Sequence, residues 1–154
     1  MSERSPRHVR AIVEVSRGSF IKRELHEGRR VDFLSPVPCP FNYGYLPGLE
    51  GEDGDPLDAV ILGERLAVGE EVSLPVVALV RFLDDGSVDD KWVLANEEPG
   101  ADQLRRLRRF FRVYAVARRL LNRLAGKRGE TRFVALEIAG EEGLPHPRGY
   151  DRRA

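Results

Sequence analysis

The strongest constraint on the fold is one long helical pattern that follows a series of short strand patterns. Over residues 102–125, apolar side chains recur at intervals of three and four or their sum, which is typical of an amphipathic helix. Asp102 can cap the N-terminus of this helix, and Gly126 can end it. The apolar stripe is formed by Leu104, Leu107, Phe111, Tyr114, Leu121 and Leu124. The pattern therefore predicts one helix with a single apolar face.

Strand patterns occupy most of the chain before this helix and a short stretch after it. They occur at 9–15, 20–25, 31–34, 59–62, 72–83, 88–95 and 131–138. Asp85-Gly86 is a strong signal for a hairpin turn. Prolines at positions 36, 38, 40 and 47 predict an ordered loop over 36–47 rather than a helix or a central strand. Short strands followed by one long helix favour an α+β fold, a small β-barrel with the helix packed outside it.

The length and composition are those of one ordinary domain. The 154 residues are 42% hydrophobic, enough for a core that needs no metal or disulfide to hold it. We expect a single domain over residues 1–142 and a loose tail over 143–154, which is rich in proline, glycine and arginine. The 25 basic and 25 acidic residues balance, which argues against nucleic acid as the main partner.

The chain carries no pattern for export or membrane insertion. No apolar run approaches the ~20 residues needed to cross a bilayer, and the first ten residues lack the apolar stretch of a secretory signal. Cys39 is the only cysteine, so an internal disulfide is excluded. These features predict a soluble cytoplasmic protein with no membrane partner.

Acidic residues are concentrated in the segment that contains Asp53, Asp55 and Asp58, whose course is fixed by Gly54 and Pro56. Held against a barrel, the carboxylates would repel one another and be costly to desolvate, a conflict that a bound divalent cation removes. Carboxylate oxygens without sulfur or imidazole select hard ions, so Mg²⁺ is expected, with Mn²⁺ as a second option. A solvated acidic loop is the alternative, whereas the spacing does not fit an EF-hand.

A second acidic group, Asp84, Asp85, Asp89 and Asp90, lies on both sides of the hairpin turn. The turn is expected to place Asp84 opposite Asp89, close enough to share a cation. A polar hairpin tip is the alternative. Two groups of paired acids nevertheless suit a centre with several metal ions.

Donors for a phosphoryl substrate accompany these acids in the sequence. Lys22 and Glu24 alternate on one predicted strand and can share a face. Tyr43 lies in the proline-rich loop, Tyr114 on the helix, and Lys91 directly after the second acidic group. Taken singly, such residues are typical of surface lysines and packed aromatics. Beside metal-bound carboxylates, lysine and tyrosine are the donors that a phosphoryl substrate requires.

Six segments, in order, resemble those of the soluble family I inorganic pyrophosphatases over roughly residues 12–138. They are Val13-Glu14-Val15-Ser16-Arg17-Gly18-Ser19, Lys22-Arg23-Glu24, Asn42-Tyr43-Gly44-Tyr45-Leu46-Pro47-Gly48, Asp53-Gly54-Asp55-Pro56-Leu57-Asp58, Asp84-Asp85-Gly86-Ser87-Val88-Asp89-Asp90-Lys91 and Arg109-Phe110-Phe111-Arg112-Val113-Tyr114. The fourth segment matches the family's D-G-D-P-x-D signature in full, and the fifth matches its D-[DE]-x3-D-x-K hairpin.

The resemblance implies a five-stranded OB-like barrel and Mg²⁺-dependent hydrolysis of pyrophosphate to two phosphates by a homo-oligomer, with a hexamer favoured. The implied metal ligands are Asp53, Asp58, Asp84, Asp89 and Glu14. Asp55 would orient and deprotonate the attacking water, Glu24 would steady the site, and Asp85 would support it. The implied phosphate ligands are Lys22, Tyr43, Lys91 and Tyr114.

Three positions depart from the family pattern. Cys39 stands where the family has a tyrosine, Ala115 stands where a lysine follows the helix tyrosine, and no arginine follows directly after Asp32. Arg118 and Arg30 are the candidates to replace the two missing cations. Other functions therefore stay open: hydrolysis of a different polyphosphate or a nucleotide, a non-catalytic relative that binds metal or phosphate, and a nucleic-acid-binding OB protein.

Overall fold

The computed structural model describes residues 8–19, 21–24, 30–34, 38–51, 54–138 and 147, and over 21–24 and 30–34 it describes the backbone alone. In chain order the elements are β1 His8–Val15, β2 Ile21–Glu24, β3 Arg30–Leu34, β4 Asn42–Glu50, β5 Pro56–Ile61, β6 Glu71–Asp84, β7 Ser87–Val88, β8 Lys91–Leu94, α1 Ala101–Leu124 and β9 Arg132–Ile138. The order of short strands and one long helix is the predicted one. The predicted tail over 143–154 lies outside the described residues apart from Pro147, so it stays a prediction.

Five of the strands close into a barrel. Hydrogen-bonded neighbours follow the order β1-β4-β5-β8-β6, and β6 returns to pair with β1. The 14-residue length of β6 permits this closure, because its first residues pair with β1 while later residues pair with β8 and β9. β2 and β3 form a separate two-stranded sheet. The closed five-stranded barrel with one helix confirms the expected OB-like α+β fold.

α1 is anchored on the barrel by the middle of its apolar face. Leu107, Phe111 and Ala115 are buried in one cluster with Phe41 and Phe82. The ring centroid of Phe111 lies 5.9 Å from that of Phe41 and 6.4 Å from that of Phe82. Each large apolar side chain buried in this way stabilises the fold by roughly 1.5–3 kcal/mol. The helix therefore holds a fixed position against the strands that carry the acidic residues.

The N-cap of α1 and the C-terminal part of its apolar face differ from the prediction. The N-cap is Gly100 without a side-chain cap, while Asp102 lies in the first turn and pairs with Arg105. Leu121 and Leu124 are 42% and 83% exposed, and the buried residue in this region is Asn122. Asn122 falls two turns after Ala115, so it continues the buried face, whereas Leu121 is rotated by one residue away from it. Gly126 does follow the helix with a φ of 76°, as expected.

No helix in the described part of the chain is long and apolar enough to span a membrane. α1 has the necessary length, but its outer face carries many arginines.

The prediction of a proline-rich loop over 36–47 is wrong for its second half. β4 begins at Asn42 and runs between β1 and β5. Its pairing with β1 ends at Tyr45, and its pairing with β5 is interrupted between Leu46 and Glu50. Pro47 lies in this interruption, where no ladder hydrogen bond is required from its nitrogen. A bulge of this kind is one of the few sites where a strand accepts proline.

Asn42 connects β4 to two loops through four hydrogen bonds, although its side chain is fully buried. Its Oδ1 accepts hydrogen bonds from the backbone N–H groups of Arg17, at 3.0 Å, and Leu66, at 2.9 Å. Its Nδ2 donates to the carbonyl oxygens of Ile61, at 3.3 Å, and Glu64, at 2.8 Å. The amide therefore satisfies backbone groups of both loops and of the last residue of β5.

We expect Asn42→Ala to lower the free energy of unfolding by about 2–4 kcal/mol, because backbone donors and acceptors would remain buried without partners. Urea denaturation measures this change. The control is Asn96→Ala, since Asn96 is exposed and its replacement should stay within about 0.5 kcal/mol of the parent. Equal stability of the two variants would contradict the role given to Asn42.

Candidate active site

The centre of the candidate site is the side chain of Lys91, which is only 1% exposed. Its Nζ lies 2.5 Å from Oδ2 of Asp58 and 2.7 Å from Oδ2 of Asp89. β5 and β8 pair in parallel with Asp58 directly opposite Lys91, so the two side chains leave the same face of the barrel. The hairpin that follows β6 brings Asp89 to this position two residues before Lys91. Two sequence-predicted metal ligands and one predicted phosphate ligand thus converge at one point.

Electrostatics keep this group of side chains charged. Burial works against the ammonium charge of Lys91, but Asp58, Tyr43 and Asp89 raise the pKa of that group well above its ordinary value. Burial raises the pKa of Asp89, and Lys91 opposes that shift. Lys91 is therefore a permanent cation at neutral pH, and it serves as the counter-ion of both carboxylates.

Tyr43 and Tyr114 supply hydroxyl groups around the same cation. Burial raises the pKa of Tyr43 well above its ordinary value and also raises the pKa of Tyr114. Both phenols therefore stay protonated at neutral pH and can donate hydrogen bonds. The Tyr43 ring centroid lies 6.0 Å from Nζ of Lys91, and the Phe82 centroid lies 5.6 Å from it, so aromatic faces line the buried side of the ammonium.

Asp84 does not lie opposite Asp89 in the hairpin, as the sequence predicted, but opposite Ser87. Asp85 and Gly86 both have positive φ and form the expected two-residue hairpin turn, which pairs Asp84 with Ser87. Asp89 instead donates its backbone N–H to Phe82, so the prediction that Asp84 and Asp89 face each other is wrong. A two-residue turn fixes this register, because the residues that flank the turn must pair with each other.

The carboxylate of Asp84 accepts hydrogen bonds from two residues of α1. Arg118 Nε donates to Oδ2 at 3.0 Å, and Asn122 Nδ2 donates to Oδ1 at 2.7 Å. Burial opposes ionisation of Asp84, but these donors lower its pKa below the ordinary value. Burial works against the charge of Arg118, but Tyr114, Asp84 and Asp89 raise its pKa above the ordinary value, so Arg118 stays cationic beside Asp84. Sequence reasoning missed Asn122, whose only signal was its helical spacing of seven from Ala115.

The structure shows less of the other predicted site residues. Glu14 is buried on β1, and Asp55 is exposed in the loop before β5, where its carbonyl oxygen accepts a hydrogen bond from Gly51. Asp53 and the side chains of Lys22 and Glu24 lie outside the described residues. The backbone does pair Lys22 with Phe33 on the β2–β3 ribbon. Their predicted roles stay predictions.

The carboxylates of the site are suited to a hard divalent cation. Asp58 and Asp89 present carboxylate oxygens close together, and ligands of this kind fit Mg²⁺ or Mn²⁺ better than zinc. Across residues 8–19, 38–51 and 54–138, no three acidic, histidine or cysteine side chains converge closely enough to hold a metal. Asp53, the other acidic residue of the predicted metal set in the segment that contains Asp58, is outside these ranges.

The fold is an OB-like barrel, and its candidate site is a buried lysine in contact with two carboxylates. Together these features define the class of protein. The family model for inorganic pyrophosphatase matches residues 11–132, and the chain belongs to that family. The inorganic pyrophosphatase of Neisseria meningitidis serogroup B is 46% identical over 91 residues, which cover 55% of this chain and 51% of that protein. The inorganic pyrophosphatase of Corynebacterium glutamicum is 33% identical over 102 residues, which cover 62% and 65%. The matches thus span between half and two thirds of these curated relatives.

A solved structure agrees with this assignment. The crystal structure of an inorganic pyrophosphatase from Neisseria gonorrhoeae superposes with a TM-score of 0.67 at 27% identity, covering 85% of this chain and 82% of that chain. The superposition therefore includes most of the barrel and helix in both proteins.

Proposed function

We propose that the chain hydrolyses inorganic pyrophosphate to two phosphates with divalent cations, Mg²⁺ before Mn²⁺. The observation that carries this proposal is the buried ammonium of Lys91, in contact with Asp58 and Asp89, in a chain of the inorganic pyrophosphatase family. Burying such a cation is costly, and ion pairing repays the cost only in part. A role in function would explain why the cation is kept. Here it places a donor for phosphate directly beside oxygen ligands for a metal.

Each residue of the site has a proposed task. Asp58 and Asp89, with Asp53, Asp84 and Glu14, would hold the metal ions, which neutralise the substrate's charge and lower the pKa of a bound water. The exposed Asp55 would orient the attacking water and accept its proton. The phosphate ligands would be Lys91, Tyr43, Tyr114 and Lys22, with Glu24 and Asp85 in support.

The donors to phosphate act without changing their charge. Lys91 stays cationic and the two tyrosines stay neutral, because the pKa of each group is raised by its surroundings. Their N–H and O–H groups are therefore already protonated, and able to donate, before the substrate binds. Fixed donors of this kind stabilise the charge that spreads over the equatorial oxygens in the transition state.

A second candidate is hydrolysis of a longer polyphosphate or a nucleotide. It is favoured by the position of Ala115, a small buried side chain where the resemblance implies a lysine. Arg118, the proposed substitute, reaches the site but already donates to Asp84. A site with one phosphate-binding cation fewer would hold compact pyrophosphate less tightly.

Assembly and location belong to the same proposal. We propose a homo-oligomer, a hexamer in the first place, and a cytoplasmic protein that binds no nucleic acid. The outer face of α1 supports self-association, because Val116, Leu120 and Leu124 are more than half exposed. The single buried cysteine supports a reducing compartment; burial raises the pKa of Cys39 to about 12 and keeps its thiol unreactive.

Phosphate release from three substrates tests the proposed activity. The purified full chain is incubated with pyrophosphate, tripolyphosphate or a nucleoside triphosphate, each with Mg²⁺, with Mn²⁺ and with a chelator. We expect the fastest release from pyrophosphate with Mg²⁺ and none with the chelator. Asp55→Asn, prepared in parallel, should lose this release, which assigns it to the chain rather than to a contaminating host enzyme.

The other outcomes each select another function. Faster release from the longer substrates would support the second candidate. A folded protein that cleaves none of the three would be a non-catalytic relative.

A further inference from the structure

A second concave site lies at the C-terminal end of α1, where the chain turns into β9. The pocket has a volume of about 680 Å³, which is within the range of small-molecule sites, roughly 300–1,000 Å³. Its charged lining residues are Arg119, Arg123, Lys127, Arg128, Arg132 and Glu130. The five cations around this concavity repel one another, the single carboxylate offsets only part of that repulsion, and a bound anion would offset the rest.

The pocket wall is fixed by contacts with the hairpin between β6 and β7. Gly129 donates its backbone N–H to Oδ1 of Asp85 at 2.8 Å, and Gly86 donates to the carbonyl of Glu130 at 2.8 Å. A Cβ atom at Gly129 would overlap the carbonyl group of Asp85, so the two backbones are in direct contact. The loop over 127–131 is thus held in place before any ligand binds.

The cations divide into two groups. Arg119 donates to the carbonyl oxygen of Thr131, and Arg132 pairs with Glu130, so both are engaged by the wall itself. Arg123, Lys127 and Arg128 are exposed, and their side chains make neither a hydrogen bond nor an ion pair within the described residues. Three available cations therefore face one preformed concavity.

We propose that this pocket is a second anion site, separate from the Lys91 group, which binds a small molecule bearing two or more linked phosphates. Arginine side chains can bind phosphate oxygens in pairs, and lysine adds a point charge. Among the residues that the structure describes, the pocket lining has no aromatic side chain on which a base could stack. Recognition therefore rests on the phosphates and not on an attached nucleoside.

The pocket is also connected to the candidate active site. Asn122, in its lining, donates from Nδ2 to Oγ1 of Thr131 at 3.0 Å and to Oδ1 of Asp84 at 2.7 Å. Thr131 Oγ1 also accepts the backbone N–H of Asp85 at 3.0 Å. Thr131 is thus linked to Asp84 through Asn122, so an anion that contacts Thr131 should shift the side-chain amide signal of Asn122.

Binding without turnover tests the proposal, which does not rest on the proposed activity. The full chain in chelator is titrated with tripolyphosphate by calorimetry and by two-dimensional NMR. We expect shifts of the backbone signals of 127–131 and of the Asn122 side-chain amide. The triple variant Arg123→Gln, Lys127→Gln, Arg128→Gln should lose these shifts and bind at least about tenfold more weakly.

A matched triple variant controls for the loss of three charges. Arg105→Gln, Arg106→Gln, Arg109→Gln removes three exposed cations from the N-terminal half of α1 and should keep both the shifts and the affinity. Circular dichroism checks that both variants fold. Equal binding by the wild type and the pocket variant, or an equal loss in both triple variants, would overturn the proposal.

Two further ligands identify what the pocket recognises. A nucleoside triphosphate should bind with an affinity similar to that of tripolyphosphate, and inorganic phosphate should bind more weakly than either. If the nucleotide bound more than about tenfold tighter than tripolyphosphate, the base would carry the recognition and the proposal would fail.

Discussion

Lys91→Met is expected to reduce pyrophosphate turnover by about a thousandfold and to destabilise the metal-free protein by about 3 kcal/mol. The side chain keeps its length and apolar stem but loses the ammonium group. The substrate then loses a buried cationic donor. Asp58 and Asp89, whose Oδ2 atoms lie 2.5 Å and 2.7 Å from Nζ, lose their shared counter-ion. Because both carboxylates are partly exposed, the lower end of the cost of breaking a buried ion pair applies.

The stability loss should depend on pH in a defined direction. Burial already raises the pKa of Asp89 while Lys91 opposes the shift, so removal of Lys91 raises that pKa further in the folded state. A carboxyl group whose pKa is higher in the folded than in the unfolded state destabilises the fold when it ionises. This destabilisation is absent below the pKa of the unfolded state and complete above the pKa of the folded state. The deficit relative to wild type should therefore be full at neutral pH. It should shrink as the pH falls towards about 4, the ordinary value for aspartate.

Urea denaturation in chelator at several pH values, together with phosphate release in Mg²⁺, measures both effects. The matched control is Arg106→Met, which also replaces one cation with methionine but at an exposed position outside both sites, and it should leave turnover and stability unchanged. A Lys91→Met protein with wild-type stability at neutral pH would show that the two carboxylates do not need their counter-ion. Full activity in that protein would remove Lys91 from the proposed phosphate ligands.

The contact between Asp58 and Lys91 illustrates what the sequence could and could not predict. Both residues stand in acidic motifs, and their chemistry alone identifies them as candidate site residues. Their direct pairing depends on the parallel register of β5 and β8, two strands that are not adjacent in the chain. Periodicity predicts a strand and its faces, but it carries no information on which distant strand lies beside it. The elements were therefore predictable, whereas the arrangement of the site was not.

The errors at Pro47 and Asn122 have a common physical cause. The general preference of a residue type for a strand, a helix or the core describes an average environment, and neither position has one. Pro47 is accepted in a central strand because the ladder is interrupted there, and Asn122 is accepted in the buried helix face because Asp84 and Thr131 take its hydrogen bonds. Both exceptions are created by tertiary partners, which local patterns do not include.

The glycine between Tyr43 and Tyr45 is expected to tolerate no side chain at all. In β4, Gly44 lies opposite Val13 of β1, and a Cβ there would lie 2.8 Å from the carbonyl carbon of Ile12 and closer still to its oxygen. The obstacle is backbone rather than a flexible side chain, so neither partner can rotate away. Gly44→Ala must then separate β1 from β4 in the middle of the barrel, beside Tyr43 of the candidate site.

We expect Gly44→Ala to cost at least about 4 kcal/mol, a large share of the roughly 5–15 kcal/mol that a domain has available. The thermal midpoint should fall by at least about 10 °C, or the protein should fail to fold. Gly100→Ala is the matched control, because a Cβ at Gly100 meets nothing within 4 Å and its φ is −73°. Calorimetry of both variants decides the point. A Gly44→Ala protein as stable as Gly100→Ala would mean that β1 and β4 are not in van der Waals contact at this position, and the close barrel packing around Tyr43 would have to be abandoned.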